Sequence, residues 1–397
     1  MTREVLVVLT DADGAVVGEL PRFEVLSPWW SDVEPVVLEA NKRFAAEIHV
    51  LRMVDVVGGE PRMPRGGLVV YDAQLLGRRP TSTRPTRVDV GPDHPLRAPW
   101  ARPGGVQAMV EWADAFVTRT GPEEQVKSWN LSCLLRLPTA KGTVWCKAVP
   151  RFFAHEGVVM RRVADVRPEL VPAVLASARG LTLLAHVDGT DQWGAGPDVA
   201  MRMVTALADL QRALTGSGDG LCAAGLPDWR APALLGAVEH LCRRDDVRGT
   251  LAPEEAATLD GVVDRLPAWF AALGECGIES TLVHGDFHPG NWRGEAEALV
   301  LLDWGDSGVG HPLLDMPAFL QRMATGSARQ VRRHWLDLHA GDAERASELI
   351  APIAALRQAL IYRTFLDGIE PSERRYHDAD VPFWLREAVR AAGATAW

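Results

Sequence analysis

One block, His284-Gly285-Asp286-Phe287-His288-Pro289-Gly290-Asn291, with Leu301-Leu302-Asp303-Trp304-Gly305 soon after it, restricts this chain more than any other stretch. The apolar runs 282–283 and 298–302 ahead of the two blocks read as short buried strands, with Gly294-Glu295-Ala296-Glu297 as a turn-like stretch between them. Two such strands side by side present Asp286, Asn291 and Asp303 at neighbouring loop ends. Two carboxylates and an amide oxygen suit Mg²⁺, which takes few protein oxygens and shares its remaining positions with substrate phosphates. Phosphoryl transfer needs that set together with a carboxylate able to take a hydroxyl's proton.

The motifs HGDFHPGN and LLDWGD resemble the aminoglycoside phosphotransferase and choline kinase family, small-molecule relatives of the protein kinases. The resemblance implies Asp286 as catalytic base, Asn291 and Asp303 as Mg²⁺ ligands, and His284 as a brace of the catalytic loop. It also implies a bilobal protein-kinase-like fold, of mixed α/β (α+β) class, over residues 105–397. A rival chemistry reads His284, Asp286 and His288, on alternate positions, as ligands of a hydrolytic zinc site. That reading leaves Asn291 and Asp303 without a role.

Upstream, residues 126–137 and 143–149 read as strands joined by Pro138-Thr139-Ala140-Lys141-Gly142, and residues 152–163 as a helix. By position in the kinase-like pattern, Lys147 resembles the phosphate-pairing lysine and Glu156 its ion-pair partner. The family's phosphate loop is often glycine-rich. Here the stretch 127–133 has no glycine, and the Ser128 and Ser132 hydroxyls are the substitute donors. Residues 171–176 and 181–187 read as two more strands, where Ala185 and Val187 resemble the main-chain contacts to the purine. The co-substrate is then ATP or GTP.

Ahead of this lies a different pattern. A strand at 5–9, the turn Asp11-Ala12-Asp13-Gly14, a returning strand at 15–18, an amphipathic helix at 32–47 capped by Ser31 or Asp32, and strands at 49–57 and 67–76 make a small α/β domain. Its hairpin and helix resemble a Nudix domain, but residues 39–47 lack the paired glutamates that such a domain needs to hold Mg²⁺. A non-hydrolytic accessory domain is expected. Residues 78–103, with six prolines and little apolar pattern, read as a linker. The expected division is therefore 1–80 accessory domain, 81–104 linker, 105–187 small lobe and 188–397 helical large lobe with the catalytic loop.

Helices are expected at 105–119, 198–214, 231–242 and 254–273, a flexible loop at 216–220, and a further helix opening after Gly308. Asp315 there reads as a brace. Asp367, Glu370, Asp378 and Asp380 are candidates to receive a substrate ammonium group.

A formal net charge of −10 argues against a nucleic-acid partner and favours neutral or cationic ligands. The five cysteines form no C-x-x-C pair and fit reduced thiols. The apolar run broken at Asp11 is too short for a signal-peptide core, and no stretch of membrane-spanning length lacks charges. The expected compartment is the cytoplasm, with no membrane partner. The reading is a Mg²⁺-dependent kinase that moves a γ-phosphate to a hydroxyl of a small molecule. An aminoglycoside, another antibiotic-like compound, an amino sugar or a choline-like acceptor fits best. The alternative from another class is a catalytically weak, nucleotide-binding pseudokinase, motivated by the missing glycine loop and the added N-terminal domain.

Overall fold

The computed structural model describes residues 2–60, 62–295 and 298–394. The chain divides into two compact units, one of Met1–Ala154, Val174–His186 and Thr364–Ala379, the other of His155–Ala173, Val187–Arg363 and Asp380–Trp397.

In the first unit, β1 (Arg3–Thr10), β2 (Val16–Glu19), β3 (Phe23–Val25), β4 (Ile48–Val57) and β5 (Leu68–Leu75) form one sheet in the order β2-β1-β5-β4, with β3 also on β1. β1 and β5 run parallel and the other pairs antiparallel. Val5, Val7 and Leu9 of β1 face a core shared with Trp30, Tyr71 and Val36 and Ala40 of α1 (Glu34–Phe44). Leu6 and Val8 point the other way, against Val88 and Val90. Burial on both faces explains why residues 5–9 of β1 are apolar at every position instead of alternating. Each such Val or Leu contributes about 1.5–3 kcal/mol when fully buried. The proline-rich stretch around residues 80–98 thus lies along this sheet, with Arg84 bonded to Glu19 through both backbone groups. The helix expected at 32–47 is trimmed, and neither Ser31 nor Asp32 caps it: the N-cap position is Val33, with Pro35 in the first turn.

After α2 (Gly105–Asp114) comes an antiparallel sheet of β6 (Glu124–Trp129), β7 (Ser132–Thr139), β8 (Gly142–Ala148), β9 (Val174–Ala178) and β10 (Leu181–Ala185), ordered β6-β7-β8-β10-β9. The strand expected at 126–137 is therefore two strands with a tight turn at Asn130-Leu131. Two sheets meet through Gln125, whose amide takes the Val50 N–H and gives its own N–H to the Val50 carbonyl, both at 2.8 Å.

The second unit holds α3 (Glu156–Val166), β11 (Thr190–Asp191), α4 (Pro197–Ala213), α5 (Gly218–Ala223), α6 (Ala231–Arg243), α7 (Asp245–Arg248) and α8 (Pro253–Glu275). The loop expected at 216–220 mostly belongs to α5. Then come β12 (Thr281–Val283), β13 (Trp292–Glu295), β14 (Ala298–Leu301), β15 (Gly308–Gly310), α9 (Met316–Gln321), α10 (Thr325–Asp337), α11 (Ala343–Gly368), which belongs to this unit as far as Arg363, and α12 (Asp380–Ala394). α11 is long and apolar enough to cross a membrane, but most of it is buried inside the protein.

The strands around the catalytic block pair differently from expectation. β12 pairs with β15, and β14 pairs with β13. Gly294 and Glu295, expected in a turn, are strand residues, while Ala296 and Glu297 lie outside the described residues. A three-residue apolar run does not specify its partner. Here Gly308 and Gly310 decide it, because a Cβ on Gly308 would meet the Trp229 ring at 2.7 Å. β13 and β14 form a hairpin inserted between β12 and its partner β15, and residues 284–291 lead from β12 into it.

Candidate active site

The chain leaves β12 and reverses at Gly285, with φ +92° and the space for a Cβ filled by the Asp306 carbonyl oxygen 1.8 Å away. Only glycine suits both constraints. The turn is pinned from below. Buried Asp315 accepts the His284 N–H at 2.9 Å and the Gly285 N–H at 2.8 Å, and Arg357 Nη2 donates to the Gly285 carbonyl at 2.9 Å. The His284 ring is fully buried, bonded through Nε2 to the Leu302 carbonyl at 2.9 Å and set edge-on to Trp304 at 4.7 Å. Burial lowers its pKa, so the ring is neutral. His284 and Asp315 thus brace the loop.

From this base Asp286 projects with 35% of its side chain exposed. Asn291 Nδ2 bonds the Asp286 carbonyl at 2.9 Å and its Oδ2 at 3.2 Å, which leaves Asn291 Oδ1 as an acceptor. The Asn291 carbonyl takes the Leu302 N–H at 2.8 Å, so the chain carries Asp303 past the same point. Asp303 is exposed and sits at φ +58°, one of two non-glycine residues with positive φ among those described. Such strain concentrates at functional positions.

Three further groups surround Asp286. His288 Nε2 lies 3.4 Å from Oδ2 and Arg322 Nη1 lies 3.8 Å from Oδ1. His288 Nδ1 accepts the Gly290 N–H at 3.0 Å, which fixes the tautomer with its proton on Nε2, toward Asp286. Trp193 stacks on His288 at 4.7 Å, and the Arg322 guanidinium lies 5.6 Å from the centre of the Trp193 ring. Burial alone would raise the Asp286 pKa. The His288 bond and the nearby Arg322 outweigh it and hold the carboxyl below its usual range, ionised.

The structure brings Asp286, Asn291 and the Asp303 backbone together. Lys147 is half-buried on β8, in register with Leu134 and Thr182, on the face opposite buried Cys146. Glu156 opens α3 and is 1% exposed. Ala185 ends β10, opposite Val144. The Val187 carbonyl accepts from Arg293 Nε at 2.7 Å, so a base contact there would fall to its N–H.

Two serines were expected to hold phosphates, and they differ. Ser128 is fully buried, its hydroxyl donated to the Leu51 carbonyl at 3.2 Å, so it is a joint between sheets and not a phosphate donor. Ser132 accepts from Trp129 Nε1 at 2.9 Å and keeps its own O–H to donate. Glu370 is likewise withdrawn from any substrate ammonium: it is 3% exposed, with Arg97 Nη2 at 3.1 Å and Arg52 Nη1 at 3.5 Å.

The zinc reading fails on His284, whose ring is turned into the core. Among the described residues no three His, Cys, Asp or Glu side chains group as a metal site. Sequence reading missed Trp193, Arg322 and Arg357. They come from the segment after β11, the end of α9 and the middle of α11, and nothing local marks them. His288 was in view, but its place beside Asp286 was not.

Residues 134–350 match the model of the phosphotransferase enzyme family. The chain belongs to that family. This phosphotransferase is similar to APH(2")-IIia, solved with GDP and kanamycin, at a TM-score of 0.53 and 13% identity, over 74% of this chain and 100% of that one. A candidate aminoglycoside phosphotransferase from Ralstonia eutropha JMP134 gives 0.51 and 18% over 74% and 99%. A macrolide 2'-phosphotransferase, MphH from Brachybacterium faecium, gives 0.49 and 18% over 69% and 97%. No curated protein matches by sequence. The first two likenesses are of fold, the protein-kinase-like fold. Family and fold together make this phosphotransferase a small-molecule kinase.

Proposed function

We propose that the protein transfers the γ-phosphate of ATP or GTP to a hydroxyl of a small molecule, with Asp286 as the base. One observation carries the reading. A partly exposed carboxylate is held ionised between His288 and Arg322, with Asn291 bonded to it and Asp303 one residue beyond the Asn291–Leu302 hydrogen bond. Asp286 Oδ1 or Oδ2 orients the acceptor O–H and takes its proton as the acceptor oxygen bonds the γ-phosphorus and the bond from that phosphorus to the β–γ bridging oxygen breaks, releasing ADP or GDP.

The donor set fits Mg²⁺: Asn291 Oδ1 is left open by an amide nitrogen anchored elsewhere, and the Asp303 carboxylate is exposed, both hard oxygens. When bound, Mg²⁺ neutralises charge on the β- and γ-phosphates. Lys147, Glu156, Ser132, Ala185 and the Val187 N–H are proposed on the nucleotide. Residues 1–80 are proposed as a non-hydrolytic accessory domain, followed by the linker 81–104, the small lobe 105–187 and the large lobe 188–397. The cytoplasm suits the cysteines, all free; burial pushes the Cys133, Cys146 and Cys242 thiols up to about 12.

APH(2")-IIia was solved with GDP and kanamycin, so the first screen pairs GTP and ATP as donors with aminoglycosides, amino sugars, choline and other antibiotics as acceptors. The test is phosphate transfer from labelled ATP or GTP with Mg²⁺. Asp286→Asn is expected to lower turnover about 10²–10⁴-fold while nucleotide affinity stays near normal. Full activity in that variant overturns the assignment of the base. No transfer to any acceptor by the wild type, with nucleotide still bound, turns the reading toward a pseudokinase.

A further inference from the structure

We infer that the cavity between α9, α11 and α12 receives an oxygen-rich, neutral-to-anionic end of the acceptor, such as a carboxylate or polyol, and disfavours polycations. The inference rests on the kinase reading above and narrows its acceptor class.

The cavity measures about 200 Å³. At roughly 30 Å³ of liquid volume per water, it takes several water-sized groups, enough for one polar end of a ligand. Gln321, Arg357, Gln358, Trp384, Glu387 and Arg390 give it its polar lining. Most of this set donates hydrogen bonds. Arg357 is 2% exposed, and its buried Nε and Nη1 have no hydrogen-bond partner among the described residues. The buried Trp384 Nε1 is in the same position. Buried donors are nearly always satisfied, and both of these side chains line one cavity. The oxygens that would satisfy them are those of an acceptor group.

The charges agree. Glu387, the one carboxylate of the lining, is paired with Arg390 on the same helix, and the Arg357 charge is balanced by Asp315, Asp306 and Asp286 outside the lining, so the wall offers donors and no unpaired carboxylate for an ammonium group. Gln321 adjoins Arg322, which reaches Asp286, and Arg357 holds the Gly285 carbonyl. The wall is therefore continuous in sequence with both contacts to the reacting loop. A polycation seated here would meet Arg357 and Arg390 and, among the lining residues, no carboxylate outside an ion pair.

The probes are gluconate, glucitol and glucosamine, polyols carrying a negative, no and a positive charge. Their binding to the full chain is followed by the Trp384 indole N–H signal in NMR titrations, assigned by its loss in Trp384→Phe. Gluconate is expected to shift that signal saturably and to bind at least about tenfold more tightly than glucosamine, with glucitol between. Calorimetric titration of Trp384→Phe, which keeps the packing, and of Arg357→Met is expected to show the gluconate preference reduced about tenfold. Equal or tighter binding of glucosamine overturns the inference. So does an unmoved Trp384 signal, or a preference that survives in Trp384→Phe. If the preference holds while no phosphate passes from ATP or GTP to any acceptor, the proposed function fails and the pocket assignment stands.

Discussion

A carboxylate that takes a proton must be ionised and partly exposed, and the groups around Asp286 set both conditions. Arg322 supplies a positive charge and His288 an N–H, and Trp193 holds the two in place by stacking on one and underlying the other. Trp193 is 56% exposed, so removing it forfeits little buried area. Trp193→Ala is expected to lower kcat/KM about tenfold, through a loosened His288 and Arg322, with a melting temperature near that of the wild type. Steady-state kinetics beside a thermal melt checks this. An unchanged kcat/KM would remove Trp193 from the site.

At the scale of elements, the loop between β12 and β13 carries only one 3-10 turn, Pro289–Asn291, and is held by a few buried bonds. Asp315 takes two backbone N–H groups at once. In Asp315→Asn one of those donors faces an amide nitrogen and goes unsatisfied, which costs about 1–3 kcal/mol. Denaturant unfolding is expected to show that loss, and activity should fall further than stability, because the Asp286 backbone shifts. Gly285→Ala is predicted to be worse, since its Cβ cannot coexist with the Asp306 carbonyl at the present geometry. Wild-type stability in either variant would mean that the loop is not braced as described.

Across the whole molecule, buried titratable groups pull stability in opposite directions with pH. Burial lowers the pKa of His155, His284 and His339, and brings His311 to about 3. Such a group binds fewer protons folded than unfolded, so its contribution is present above about pH 6.5 and is lost as pH falls. All four lie in the second unit. In the first unit, burial and the neighbouring Glu370 raise Glu373 to about 8. Its folded pKa exceeds the unfolded one, so its contribution is present below about pH 4.5 and is lost as pH rises toward 8. Below about pH 6.5 the four histidines outweigh Glu373 and stability rises with pH, and from there toward pH 8 Glu373 alone lowers it, so melting is expected to be optimal near pH 6.5 and to fall on both sides. Glu373→Gln, which keeps an acceptor for the Met53 N–H at 3.4 Å, should flatten the alkaline side by a few degrees. An alkaline limb unchanged in that variant would refute the assignment.

The sequence by itself determined the chemistry-bearing block, the family and most elements, because these depend on local rules. Spacing within HGDFHPGN fixes how Asp286 and Asn291 meet, and apolar periodicity fixes α4, α8 and β4. Tertiary structure alone decided which strand pairs with β12, that Ser128 and Glu370 are closed off by partners distant in sequence, and that Trp193, Arg322 and Arg357 surround or support Asp286. Strand pairing across short runs and the company of a buried polar group depend on contacts between remote segments. No local pattern encodes them.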